Sequence, residues 1–287
     1  MSEPRRPPAA ATAGRPLLLC ADDFGLSRGV DDAIAGLVRG GRLNAFSCLS
    51  NGPAWAQDAA LARALRPQAQ AGLHFNLTEG APLSPALARV WPQLPSLPRL
   101  IADAHLGRLP LPAIADELAA QWQAVADGLG GAPDFIDGHQ HVHHLPGVRG
   151  LLLGLLRRLA GPASAGVAVR NTGAVGGPGF AVKRLLIAGT GGWLLARGLR
   201  RQQVPHNRLL LGTYDFEATD YRALMRGWLA QVPAAGALLF CHPGRPSADA
   251  PPDPIAGARQ RELAYLAGDG WPQDLAAAGV VLAPAWR

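Results

Sequence analysis

Short β-like runs alternate with longer segments of helical periodicity along almost the whole chain. No other feature constrains the fold as tightly. The runs are LLLCAD (17–22), AFSCLS (45–50), AGLHFN (71–76), DFIDGH (134–139), GVAVR (166–170), RLLLG (208–212), ALLFCH (237–242) and GVVLA (279–283). Between them, apolar residues recur at helical spacing over 29–39, 53–66, 112–128, 147–160, 181–202, 217–231, 255–267 and 272–278. Such alternation implies βαβ units and therefore a mainly parallel sheet flanked by helices. Seven or eight repeats of the unit predict an α/β fold closing into a (β/α) barrel, regular or imperfect, and 287 residues fit one such domain. The Pro- and Ala-rich residues 1–15 are expected as a disordered tail, and 16–287 as a single domain. The Pro-rich stretch 82–112 predicts a long excursion folding over the site as a lid. The segment 243–254, with five prolines, predicts a second irregular loop.

Composition narrows the function classes. The formal charge is +6, which raises the question of nucleic acid. The excess arginines are scattered, aromatic residues are few, and no nucleic-acid-binding signature occurs, so no nucleic-acid partner is expected. Cys20, Cys48 and Cys241 lie far apart in apolar runs and read as buried strand thiols, which points to a reducing, cytoplasmic compartment. The N-terminal residues lack an apolar core long enough for a signal peptide. The most apolar later stretch, 185–199, is interrupted by Gly189, Gly191, Gly192 and Arg197. It falls short of the roughly 20 residues a membrane span needs, leaving a packed helix or peripheral membrane contact.

Polar residues fall where a parallel barrel places its active site, at the C-terminal ends of strands. Asp22-Asp23 end the first run; His74 and Asn76 the third; Asp137, His139 and His141 the fourth; Arg170 the fifth; His242 the seventh. One Asp and two His from different strands would supply the ligand set of a catalytic divalent metal. A second carboxylate could then act as the general base. Adjacent residues in an ideal strand face opposite ways, so the first strand must end or bulge for both carboxylates to reach one centre, and Gly25 makes such a turn easy. Asp-Asp also reads as a helix cap, although Ser27 and Asp31 serve that purpose equally well. In GLHFN, period two puts His74 and Asn76 on one face. In DGHQHVHH, Asp137, His139, His141 and His143 share a face if the chain stays extended; at least one of these histidines could ligate metal and others shape the substrate pocket, with a surface metal-scavenging tract as the less favoured alternative. His242, before Pro243-Gly244, could protonate a leaving group, and Arg170 could orient Asp22 and hold it ionised.

The segments ADDFGLS (21–27), GLHFNLT (72–78), DGHQHVHHLP (137–146) and FCHPG (240–244) resemble, in order and over nearly the whole chain, the YdjC-like family, which includes chito-oligosaccharide deacetylase. The resemblance implies a distorted barrel related to NodB-type polysaccharide deacetylases, and a homodimer. It implies metal ligation by Asp23, His74 and His139, with Asp22 as general base and His242 as general acid; Arg170 joins them as a catalytic candidate from its strand-end position beside Asp22, not from the resemblance. Asn76, Asp137, His141 and His143 would meet the substrate. The implied reaction removes an N-acetyl group from an amino sugar, a chito-oligosaccharide or a glycolipid. Magnesium (Mg2+) is the ion the resemblance implies, while zinc (Zn2+) suits histidine donors as well. The Gly-rich, then apolar segment 175–205 departs from the compact members and leaves a lipid-linked substrate open. Two rivals stand beside this reading. Amidohydrolase barrels carry a His-x-His pair on the first strand, the reverse of the order here. A carbohydrate-binding protein would have a degenerate site, yet every proposed catalytic residue is present.

Overall fold

Each β-like run becomes a strand in the computed structural model, which describes residues 14–159, 166–248 and 250–287. The strands are β1 (Arg15–Phe24), β2 (Ala45–Cys48), β3 (Gln70–Phe75), β4 (Phe135–Gly138), β5 (Ala168–Val169), β6 (Leu210–Leu211), β7 (Ala237–Cys241) and β8 (Val280–Leu282). The helices are α1 (Arg28–Arg39), α2 (Trp55–Leu65), α3 (Pro85–Val90), α4 (Leu97–His105), α5 (Leu111–Leu129), α6 (Val148–Leu159), α7 (Ala181–Ile187), α8 (Trp193–Arg201), α9 (Tyr221–Leu229), α10 (Ala256–Ala267) and α11 (Gly270–Ala278). Most of the expected tail lies outside the described residues. Its last residue, Arg15, instead opens β1 and pairs with Val280.

The sheet runs β5-β4-β3-β2-β1-β7-β6, with β8 beside the start of β1, and every pairing is parallel. Alternate residues of β1 serve two cores. Leu17, Leu19 and Ala21 pack with the helices, while Leu18 and Cys20 join Phe135, Leu210, Leu238 and Phe240 inside the curl. Burial on both faces explains why the runs are continuously apolar rather than alternating. The Trp286 ring packs on Phe135 at 5.4 Å, and its indole N–H donates to Gln70 Oε1 at 2.8 Å, at the end of the barrel remote from the strand C-termini.

The ends β5 and β6 do not form a ladder with each other. Single bridges, Val169 to His206 and Val175 to Leu210, draw the gap together. Asn171 and Asn207 clasp it: the Asn171 N–H donates to Asn207 Oδ1 at 2.7 Å, and Asn207 Nδ2 donates to the Asn171 carbonyl at 3.0 Å. This is the distorted (β/α) barrel the sequence predicts.

Two segments differ from expectation. The 82–112 excursion contains α3 and α4, each entered by Ser-Pro or Ser-Leu-Pro, a helix-start pattern that a Pro-rich reading obscures. The single helix expected over 181–202 is α7 and α8 joined by a wider π-type turn, Ala188–Gly192. The glycines there permit close crossing: a Cβ at Gly191 would lie 2.0 Å from the His144 carbonyl oxygen, and one at Gly192 2.4 Å from that of Thr172. No helix among the described residues is long and apolar enough to cross a membrane.

Candidate active site

The acidic pair sits on a bulge. Ala21 pairs with Phe46 and Phe24 with Cys48, so β1 holds one more residue than β2 across this interval. Asp23 takes a left-handed conformation (φ 73°), which aspartate tolerates better than most residues. Gly25 follows at φ 99°, where a Cβ would come within 2.7 Å of the Leu49 carbonyl oxygen. Breaking the two-residue period turns both carboxylates toward one cavity of about 710 Å³ at the C-terminal ends of the strands.

Each carboxylate has its own arginine. Both oxygens of Asp22 accept from the Arg170 fork, at 2.6 and 2.5 Å. Arg170 is fully buried and also lies 2.5 Å from Asp137 Oδ2. Burial disfavours the charged form of Asp22, but Arg170 outweighs it and holds the carboxyl below its ordinary range. Asp23 Oδ2 accepts from Arg259 at 2.8 Å. Burial opposes its charge too, yet Arg259, His139 and His74 hold it well below the ordinary value.

Asp23, His74 and His139 converge, with one potential ligand atom from each lying within 4.8 Å of the others. Asp23 Oδ1 is 3.3 Å from His74 Nε2 and 3.1 Å from His139 Nδ1. Asp137 Oδ1 bonds His74 Nδ1 at 2.6 Å, which fixes the ring with Nε2 toward Asp23. Ser47 Oγ bridges His74 Nδ1 (3.1 Å) and Asp22 Oδ1 (3.3 Å). Burial lowers the basicity of both rings, but the carboxylates dominate: Asp137 and Asp22 lift His74 to about 10, and Asp23 and Glu79 lift His139 to about 9. The site therefore draws positive charge, and a divalent cation would have to displace those protons.

His242 ends β7 with Nε2 4.0 Å from Asp22 Oδ2. Its ring stands edge-on to Phe216 and Phe240, at 5.1 and 5.6 Å, and its backbone N–H donates to Glu262 Oε2 at 2.5 Å. Burial pushes its pKa down to about 4, against the pull of Asp23 and Asp22, so the ring is neutral at pH 7.

The other sequence candidates separate. His141 lines the cavity, edge-on to Phe240 at 5.4 Å. Asn76 also lines it, but its amide is spent on the following loop. Oδ1 accepts from Thr78 and Glu79 N–H, and Nδ2 donates to Asn51 Oδ1 and the Glu79 carbonyl. Asp137 and His143 do not line the cavity; both are fully buried behind its wall. Asp137 supports His74 and Arg170, and His143 Nε2 bonds the Arg170 carbonyl at 2.9 Å. The expected extended strand fails because the chain turns after Gly138, with Gln140 and His141 left-handed. A Cβ at Gly138 would lie 2.7 Å from His143 Nδ1, so a glycine lets that histidine fold back.

Sequence reasoning missed Arg259, Glu79 and Glu262. Glu79 directly follows GLHFNLT and was findable as the next acid on that rim. Arg259 and Glu262 lie on α10 with no local signal. The expected lid is present in part: Leu97 and Ile101 of α4 line the cavity, as do Lys183, Leu186 and Ile187 of α7.

Fold and rim together define an α/β barrel whose strand ends gather an acidic pair, a two-histidine donor set and a further histidine. The chain belongs to the YdjC-like protein family, whose model matches residues 16–277. It is 40% identical over 138 residues to a chitooligosaccharide deacetylase of Klebsiella pneumoniae, covering 45% of this chain and 50% of that one. It is 38% identical over 142 residues to the chitooligosaccharide deacetylase of Salmonella typhimurium, covering 46% and 52%. The chain thus spans about half the length of the curated relatives it matches. A solved structure from Enterococcus faecalis, described as a candidate cellobiose-phosphate cleavage protein, has the same fold, with TM-score 0.72 at 20% identity over 95% of this chain and 98% of that one.

Proposed function

We propose that this protein is a metal-dependent carbohydrate deacetylase that hydrolyses the N-acetyl group of an amino sugar, in a chito-oligosaccharide or on a glycolipid. The observation that carries the reading is the convergence on one cavity of Asp22, the Asp23–His74–His139 set and His242. The donor set fits a divalent cation, and the Asp137–His74 bond is the kind of outer support that orients a metal-binding histidine. A cation there would polarise the acetyl carbonyl and lower the pKa of water toward about 7. Asp22, kept ionised by Arg170, takes a proton from the attacking water. The oxygen of that water joins the acetyl carbon as the C–N bond breaks. His242, neutral and beside Asp22, relays a proton to the departing amine nitrogen. His141 and the apolar wall contact the sugar ring, while Asn76 shapes the loop that frames it.

Magnesium is the ion the family resemblance favours; the two-histidine donor set suits zinc equally. Family likeness also favours a homodimer, and the three buried free thiols favour a reducing cytoplasm. The test is acetate release from N-acetylglucosamine oligomers and N-acetylated glycolipids by apo-protein reloaded with Mg, Mn, Co or Zn. Release with at least one metal, abolished by chelator, is the expected outcome. No release from any substrate with any metal overturns the reading.

A further inference from the structure

The surface beside the cavity mouth carries a feature the catalytic reading leaves unused. Val182, Leu185 and Leu186 of α7 are 73%, 59% and 59% exposed, and Trp193 and Leu194 of α8 are 55% and 53% exposed. The three on α7 share a face by three- and four-residue spacing. On α8, Leu195, Ala196 and Leu199 are buried, while Trp193, Leu194, Arg197 and Arg201 fall together on the opposite face. Isolated exposed apolar residues are ordinary; five within 13 residues, rimmed by arginine, are not.

Along the chain the flanking charge is mainly basic: between Asp137 and Asp215 there are ten Arg and Lys residues and no acidic one, although Arg170 is buried in the active site and Asp215 faces Lys183 of α7. A second cavity of about 460 Å³ beside Trp193 is lined by Arg200, Arg208, Arg287 and His206. No carboxylate pairs with Arg200 or Arg208 among the described residues. The patch is also continuous with the active site, because Leu186 is both exposed and part of the catalytic cavity wall.

We infer that α7 and α8 form a docking surface for an anionic lipid bilayer, which brings the cavity mouth to the membrane. Apolar side chains enter the interface, arginines meet the phosphates, and the buried side of α8 stays packed on the barrel. Basic charge argues against a second copy here, since a two-fold contact would set like charges against each other. This goes beyond the deacetylase reading and fails separately from it, because vesicle binding needs no turnover.

The test is flotation of the full chain with vesicles of phosphatidylcholine alone or mixed with phosphatidylglycerol. Binding is expected only to the anionic vesicles, weakening as salt rises. Arg197→Glu with Arg201→Glu should cut partition at least about twenty-fold, since each basic residue at an anionic surface contributes about fivefold. Trp193→Ser with Leu194→Ser should also weaken binding, with both double variants melting as the unmodified protein does. Absence of anionic-vesicle binding, or variants that float like the unmodified protein, overturns the inference. So does a vesicle-independent dimer that the Trp193→Ser/Leu194→Ser change turns into a monomer, which would assign the surface to a second copy.

Discussion

Asp22 and Asp23 are neighbours with different employers. Arg170 grips one from the barrel interior and Arg259 grips the other from α10, so adjacent carboxylates stay ionised without sharing a proton. A third buried acid behaves in the opposite way. Asp31 accepts from the Gly25 N–H at 2.6 Å, and burial, helped by Asp58, pushes its carboxyl up to about 8. The folded chain therefore holds a proton there that the unfolded chain has released above its ordinary value of 3.8. With more protons bound in the folded state, stability falls as pH rises from about 4 to about 8, and is flat in this respect outside that window. Asp31→Asn imitates the protonated acid and keeps an acceptor for Gly25. The variant should melt above the unmodified protein at pH 8 and together with it near pH 4. Equal melting curves at both pH values would contradict a protonated Asp31.

At the scale of elements, the two irregular points decide the site. The β1 bulge was legible in advance, because two adjacent carboxylates that reach one centre require a break in strand alternation and Gly25 supplies a turn. The turn after β4 was not. Alternation places Asp137, His139, His141 and His143 on one face, but the left-handed Gln140 and His141 send His143 behind the wall. Arg259 and Glu262 stayed hidden because a charged residue on a helix gives no local sign of which strand end it will reach. The barrel seam was equally invisible, since it depends on two asparagines 36 residues apart. Asn207→Ala should strand the buried Asn171 N–H, and an unsatisfied buried group costs about 1–3 kcal/mol. Urea unfolding should show that loss in its midpoint. An unchanged midpoint would mean the seam holds without the clasp.

For the whole molecule, the sequence was most legible where physics is repetitive. Continuous apolar runs mark strands buried on both faces, and all eight predicted runs contain one of the described strands. Their C-terminal ends collect Asp22, Asp23, His74, His139 and His242 on one rim, as the parallel topology requires. What did not repeat was harder to read: the helices within 82–112, the break in 181–202, and the unladdered gap between β5 and β6. The central claim is the division of labour at the acidic pair, and metal titration with acetate-release rates on two variants tests it most directly. Asp23→Asn is expected to lose most of its metal affinity. Asp22→Asn should keep the metal and lose about 10²- to 10⁴-fold in rate, the usual span for removing a general base. An Asp22→Asn variant that sheds the metal or turns over at the unmodified rate, or an Asp23→Asn variant that binds metal fully, would contradict it.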